Sequence, residues 1–463
     1  MKNFKNIILL TAFIICGIIC LPCQLKAAAA AAENENFAKL NNDLELLIDD
    51  NKNGVPGIGA AVIKNGRLVY EKTLGSRYID NANPQNNLPL TRDTKLRIAS
   101  LSKVFVAAAY MQLAEQGKID LDADISRYLG FTLRNPNYPD TPITSKMLLS
   151  HTSSFRDGEV YTIPSKYSLQ ELFRPGGMFY EGGAHYAPYG EAPGEFFCYT
   201  NLNYGILGTI IEKVTQTRFD KYMKQAIFDP MGIDASFNIT DFNEAALNDF
   251  GLIYQKQEYG VWNTDGPWIA QVDDYSALKI YGNNLYNIYN YDEYITGTNA
   301  TIFFPHGGLR ISLAGLEKWM QMLIDNGKYN GKRILTEKSI DEMFKPYWTL
   351  NEAKTNGDTY GGLMNCFGLG IQNVKKIDKD RFLADRDIEM SGHFTEAYGL
   401  LAGMFIDREH KNGFIYIMNG MPGPESANAG AYSGMYLWEE KVCSAILNLS
   451  LIHISEPTRR SYI

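Results

Sequence analysis

Ser100 and Lys103 stand three residues apart at the head of an apolar block running from Val104 to Ala109. On a helix that spacing puts both side chains on one face. A helix that is apolar all round is buried all round, so Lys103 would sit one turn inside the protein. An unpaired charge is costly there, and burial pulls a lysine pKa toward neutrality, where the amine can act as a base. Ser100, near the helix N-terminus, would gain backbone N–H groups and a dipole suited to a developing oxyanion. Together these features describe a serine nucleophile activated by a lysine. The competing reading makes Ser100 a helix cap and Lys103 an exposed first-turn residue, and the apolar block weighs against it. Ser276 and Lys279 repeat the spacing, but they lead into the polar, turn-like run 280–284 and read as a surface segment.

Tyr199 and Asn201 form a second point of interest. They immediately precede a helical pattern from Tyr204 to Thr215, so their side chains can point into a pocket at its head. Taken alone, Tyr199 reads rather as a half-buried aromatic with a locally satisfied hydroxyl, and Tyr281 and Asn283 repeat the spacing. His151 ends a short capped helix within 143–154 and reads as structural, bonded to backbone in the turn. The six histidines show no paired ligand spacing, so no metal and no other cofactor is expected.

The elements that must position these residues follow from periodicity. Phe37 to Asp50 reads as an amphipathic helix. Two β-branched runs, 58–63 and 68–73, flank Asn65 and Gly66, which is a hairpin signal. The Ser100 helix ends at Gly117, with a short amphipathic turn at 125–129. Residues 155–190 are rich in Gly, Pro and Tyr and read as a loop lining a cleft. Residues 241–301 read as a loop-rich insertion packed on its own aromatics. Helices are expected over 313–325 and 335–344, then strands over 369–374, 382–390, 398–406 and 414–418, and a closing helix over 436–448. Strands near both ends with helices between them predict an α/β (α+β) fold. It has one antiparallel sheet built from both chain termini and flanked by helices, plus a mainly helical lobe. The sheet lobe takes about 37–95 and 306–449, and the helical lobe about 96–305.

Residues 1–32 have a basic start at Lys2 and Lys5, an apolar run from Ile7 to Ile19, and small residues from Ala27 to Ala32. That is the pattern of a secretory signal peptide, so the expected location is secreted, in a bacterial periplasm, with a lipoprotein anchor as the minor alternative. No stable membrane span is expected after cleavage. Removing this leader takes away Lys2, Lys5 and Lys26 and no acid, which makes the net charge of −8 more negative by three. An acidic mature chain argues against a nucleic-acid partner. Cys198, Cys366 and Cys443 would remain, too few for a disulfide framework, and they read as core thiols. Residues 451–463 interrupt the last helix with Glu456 and Pro457 and have no expected role in the fold.

Ser100-x-x-Lys103, Tyr199-x-Asn201 and, on a late strand, Ser391-Gly392-His393-Phe394-Thr395 occur in that order. The set resembles the serine β-lactamase and penicillin-binding-protein superfamily, most nearly its class C-like branch of hydrolases and esterases. Leu148 to Ser153, Pro193-Gly194-Glu195 and Gly307 to Arg310 support the likeness, which covers roughly residues 37–449. The resemblance implies that Ser100 forms an acyl-enzyme and that Lys103 and Tyr199 share the proton. It implies that Asn201 orients the substrate, and that His393 replaces the basic residue of the third motif, near the substrate carboxylate or Tyr199. The oxyanion hole would be the N–H groups of Ser100 and Glu396. Thr395 stands where that motif carries glycine, so it lines the substrate cleft and could narrow it. The implied substrate is a small molecule or peptide: a β-lactam, a D-Ala or other cell-wall peptide, or an ester. The alternative is a catalytically impaired binding or sensing protein on the same fold.

Overall fold

The computed structural model describes residues 36–48, 53–273, 291, 293–424 and 428–448. The leader, the 451–463 tail, the Ser276/Lys279 copy and the Tyr281/Asn283 copy lie outside them. Helix α1 covers 36–48 and buries Leu40, Leu44 and Leu47. Strands β1 (Gly57–Lys64) and β2 (Arg67–Tyr78) pair antiparallel across Asn65 and Gly66. Both turn residues have positive φ, 50° and 74°, as the twist of a two-residue hairpin requires.

These strands join a nine-stranded sheet. Its other members are β3 (Leu88–Pro89), β4 (Trp348–Thr349), β5 (Cys366–Phe367), β6 (Gln372–Val374), β7 (Met390–Ala397), β8 (Leu400–Asp407) and β9 (Asn412–Met418). The order is β4-β5-β6-β7-β8-β9-β1-β2-β3. The C-terminal strand β9 pairs antiparallel with the N-terminal β1, Ile58 facing Met418 and Ile63 facing Gly413. The expected sheet built from both ends of the chain is therefore present.

Each face of the sheet has its own helices. Helix α2 (Ser102–Glu115), α3 (Ser145–Leu149), α4 (Leu202–Thr215) and α5 (Leu313–Ile324) share one apolar core with Ala402, Met404 and Ile415 of the sheet. Helix α6 (Glu337–Phe344) packs against α2. On the other face, α1 and α7 (Leu437–Leu447) enclose Phe394, Leu401, Phe405 and Phe414. Helix α2 has no polar face because it is surrounded. Every residue from Ser102 to Met111 is buried. Among the described residues no helix is long and apolar enough to cross a membrane. Cys366 and Cys443 are buried free thiols and Cys198 is half-buried.

One expectation is corrected. The strand expected over 382–390 is irregular backbone, and pairing begins only at Met390. The apolar Phe382 and Leu383 fill the second core without joining the ladder. The turn before them is fixed by Lys376 and Asp378 at positive φ and by the Asp380 carboxylate accepting from the Lys375 N–H. The loop-rich stretch 241–301 also carries strands that the sequence reading did not name. Strand Ile253–Glu258 pairs antiparallel with Val261–Trp262 and Trp268–Val272 and, in parallel, with Gly420–Met421. Alternation there was hidden by polar residues such as Gln255, Lys256 and Gln257, which are half-exposed.

Gly370 connects the sheet to α2. Its φ is +73°, and a Cβ there would lie 2.6 Å from the Cβ of Ala107 and 3.1 Å from the Tyr204 hydroxyl. Gly370→Ala is expected to destabilise the protein by about 1–3 kcal/mol through overpacking and backbone strain. Urea unfolding measures this, and an unchanged midpoint would contradict the packing described.

Candidate active site

Ser100 lies in a 3₁₀ turn, Ala99–Leu101, that runs directly into α2. Ala99 before it holds a φ of 42°, a left-handed value that a residue with a side chain adopts only when its surroundings enforce it. The enforcing contacts are visible. Ile98 N–H donates to the Leu309 carbonyl at 2.9 Å, and Leu309 N–H donates to Ser102 Oγ at 3.1 Å. Arg97 Nε donates to the Gly307 carbonyl at 3.0 Å. The Gly307–Arg310 stretch thus braces the turn that presents Ser100.

One turn on, Lys103 is fully buried. Its Nζ lies 3.0 Å from Ser100 Oγ, 2.8 Å from Asn201 Oδ1 and 2.8 Å from the His306 carbonyl oxygen. The Tyr199 and Tyr204 rings flank it at 4.8 and 5.4 Å from their centroids. Burial lowers its pKa to about 7, and Asp157 opposes that fall. Two of the three Nζ partners, an amide oxygen and a carbonyl oxygen, can only accept. A neutral amine gives them its two protons and has one lone pair left. That lone pair faces Ser100 Oγ.

Asn201 stands at the N-cap position of α4 without a side-chain capping bond, and Tyr199 precedes it. Burial raises the Tyr199 pKa well above its usual value, although a hydrogen bond with Ser100 acts the other way. Tyr199 therefore stays a phenol. Its hydroxyl is 3.3 Å from His393 Nε2. His393 donates its Nδ1 proton to the Phe394 carbonyl, which leaves Nε2 as acceptor for the Tyr199 proton. His393 is fully buried, and burial together with the nearby Lys103 lowers its pKa to about 3. The residue in the place of the third motif's cation is thus uncharged near neutral pH. His151 stacks on the Tyr199 ring at 4.3 Å and accepts the Thr200 N–H at Nδ1, 3.0 Å, so it supports the site from below.

The opening above Ser100 is a cleft of about 510 Å³, walled by Tyr199, Thr395, Glu396, Tyr360, Ser433 and Tyr436 among others. The β7–β8 register directs the Glu396 N–H. The strands are joined by Tyr398 and Gly399, both at positive φ, so Ala397 and Leu400 form the hydrogen-bonded pair beside the turn. Odd positions of β7 therefore bond to β8, and the Glu396 N–H points to the opposite edge. The Ser100 N–H has a partner already: it donates to Thr395 Oγ1 at 2.7 Å. Among the described residues no cluster of three or more His, Cys, Asp or Glu side chains is placed to hold a metal ion.

Asp157 was missed by sequence reasoning. It sits in the loop at 155–190, yet its Oδ2 accepts from Asn201 Nδ2 at 2.9 Å and its Oδ1 from the Leu202 N–H at 2.8 Å. It fixes the Asn201 amide so that Oδ1, not Nδ2, faces Lys103. Burial raises its pKa, and the two hydrogen bonds and Lys103 oppose the rise. A lone aspartate in a loop gives no periodic signal, so only its place six residues after His151 could have drawn attention.

The Beta-lactamase family model matches residues 34–435. The chain is 27% identical over 247 residues to "Protein flp" of Staphylococcus aureus (strain NCTC 8325 / PS 47), which covers 50% of this chain and 47% of that protein. The chain therefore spans about half the length of the curated relatives it matches. Among solved structures, the octameric penicillin-binding protein homologue from Pyrococcus abyssi has a TM-score of 0.60 at 22% identity, covering 89% of this chain and 77% of that one. The D-amino acid amidase from Ochrobactrum anthropi SV3 complexed with L-phenylalanine has a TM-score of 0.59 at 20% identity, covering 88% and 99%.

Asp157→Asn removes the anion that holds the Lys103 pKa up. Lys103 should then lose its proton at lower pH, so the acid limb of the rate of Ser100 labelling by a fluorophosphonate should move to lower pH. A limb that stays in place, or moves up, would contradict the link between Asp157 and Lys103.

Proposed function

Because the chain belongs to the Beta-lactamase family, whose fold it shares, we propose that it is a serine hydrolase that opens an ester or amide through an acyl-Ser100 intermediate. The observation that carries this reading is the Lys103 amine. It is buried and poised near neutrality, and two acceptor-only partners turn its lone pair toward Ser100 Oγ.

Ser100 Oγ bonds to the carbonyl carbon while its proton passes to Lys103 Nζ. The carbonyl π pair moves onto oxygen, which the Glu396 N–H and the Ser100 N–H would stabilise. When the intermediate collapses, the bond to the leaving group breaks, and the leaving group takes the proton from Lys103. Water then repeats the sequence: Lys103 takes its proton, the hydroxyl bonds to the acyl carbon, and Ser100 leaves and recovers a proton. Tyr199 stays protonated throughout. Its hydroxyl lies beside Ser100 and donates a hydrogen bond to His393 Nε2, so it lines the site rather than acting as the base. Asn201 holds the lysine and, through Asp157, fixes the cleft wall.

The substrate is read as a small molecule or peptide bearing an ester or amide, with cell-wall peptides and β-lactams within the range. The amidase likeness favours the amide members of that range. The basic and apolar start of the chain favours export to a periplasm, with the leader removed.

Intact mass after incubation with a fluorophosphonate tests the reading. One adduct is expected on the mature protein and none on Ser100→Ala; no adduct, or an adduct that survives the substitution, would contradict it. A fluorescent penicillin run in parallel separates a β-lactam-recognising enzyme, which it labels, from an esterase or amidase, which it does not.

The pH dependence has a definite sign. Protonation of Lys103 removes the lone pair, so kcat/KM should fall as pH drops through about 7, the value to which burial lowers this amine. A profile flat from pH 5 to 9 would contradict Lys103 as the base.

A further inference from the structure

Thr395 Oγ1 lies 2.7 Å from the Ser100 backbone nitrogen and accepts its N–H. That is the distance and direction at which the oxygen of an attacked carbonyl has to sit to use the same donor. A backbone N–H carries one proton and directs it one way, so the threonine hydroxyl and a substrate oxygen compete for one place. Resting on the hydrolase reading above, we propose that Thr395 makes an autoinhibitory contact: its hydroxyl occupies the oxyanion hole of the free enzyme, and a substrate must displace it before Ser100 can react.

Three features hold the hydroxyl there. Thr395 is only 3% exposed, so bulk water does not compete for the bond. Its β-branch restricts χ1 to few rotamers. Its backbone is pinned by pairing with Ala402 in the middle of β7 and β8, so the strand cannot swing the side chain out. Displacement is therefore a rotation about χ1 that breaks the Ser100 bond and turns Oγ1 away from the hole. The cleft beside Ser100 and Glu396 offers the space for it.

The consequence is a brake on the free enzyme. Every attacked carbonyl needs the same Ser100 N–H, so each meets the same displacement cost, and the hydroxyl lowers reactivity toward all acyl groups by one factor.

The test compares wild type, Thr395→Ser, Thr395→Ala and Thr395→Gly in the mature protein. The readouts are the second-order rate of fluorophosphonate labelling and kcat/KM for p-nitrophenyl acetate. Removing the hydroxyl should speed both by roughly tenfold in the Ala and Gly variants, the factor set by one displaced neutral hydrogen bond. Thr395→Ser keeps the hydroxyl and should stay within about threefold of wild type, the margin of an ordinary change in side-chain freedom. Thermal melting shows which variants are folded, and Ala serves if Gly loosens the strand. Ala and Gly rates equal to wild type, or lower, would overturn the proposal, a lower rate making the hydroxyl a donor to the substrate. If neither wild type nor any variant is labelled, the hydrolase reading fails and this inference with it. Labelling of wild type with no gain in the variants sinks only the inference.

Discussion

A primary amine with no exposed surface is the constraint around which this molecule is built. Lys103 cannot reach water, so its charge has to be shed or matched by fixed partners. The fold supplies both remedies. The apolar surround from α2, Tyr199 and Tyr204 favours the neutral form, and Asp157 keeps the charged form within reach. The partners come from three separate parts of the chain: the turn at Ser100, the head of α4, and the His306 carbonyl before the Gly307–Arg310 brace. Their convergence on one nitrogen is what ties the helical region to the sheet. An amine held near the middle of its titration is costly for stability, and such costs concentrate where a protein does chemistry.

The sheet contributes the opposite wall. Strand β7 presents alternate residues to its two faces, so His393 and Thr395 face Ser100 while Phe394 enters the second core. A single strand thereby sets the acceptor for the Tyr199 proton and the occupant of the Ser100 N–H. The neutral His393 has a consequence for recognition. Among the described groups that touch Tyr199 and Ser100, the only cation is Lys103 itself, and its three Nζ contacts are all to the protein. At the third motif a carboxylate would meet a neutral imidazole, whereas Lys379 lines the same cleft.

Much of this was legible in the residues, and what was not has identifiable causes. The buried helix followed from its lack of any polar face, and the Asn65–Gly66 hairpin from the backbone twist that only such residues give cheaply. The antiparallel sheet from both chain ends followed from β-branched runs at those ends. The strand over 382–390 failed because Phe382 and Leu383 are apolar for the sake of a core plug, not a ladder, and burial alone does not specify pairing. The strands inside 241–301 escaped because their exposed faces carry glutamine and lysine. In the site, Ser100, Lys103, Tyr199, Asn201 and His393 were nameable from spacing and resemblance, and they lie within one cluster. Asp157 was not, because its partner Asn201 is 44 residues away and nothing local marks the pair. The hydroxyl of Thr395 was foreseeable as bulk in the cleft. Its bond to the Ser100 N–H depends on strand register and could only be seen in three dimensions.

The central claim is that Lys103 is an amine near neutrality, and it is open to direct observation. Lysine-selective NMR titration of the mature protein, with Lys103→Arg to assign the resonance, reads the protonation of that nitrogen without any substrate. One lysine resonance is expected to titrate near pH 7 and to vanish from the variant. If Lys103 instead stays protonated well above pH 7, the amine is charged at neutral pH and cannot take the Ser100 proton, and the mechanism built on it is wrong.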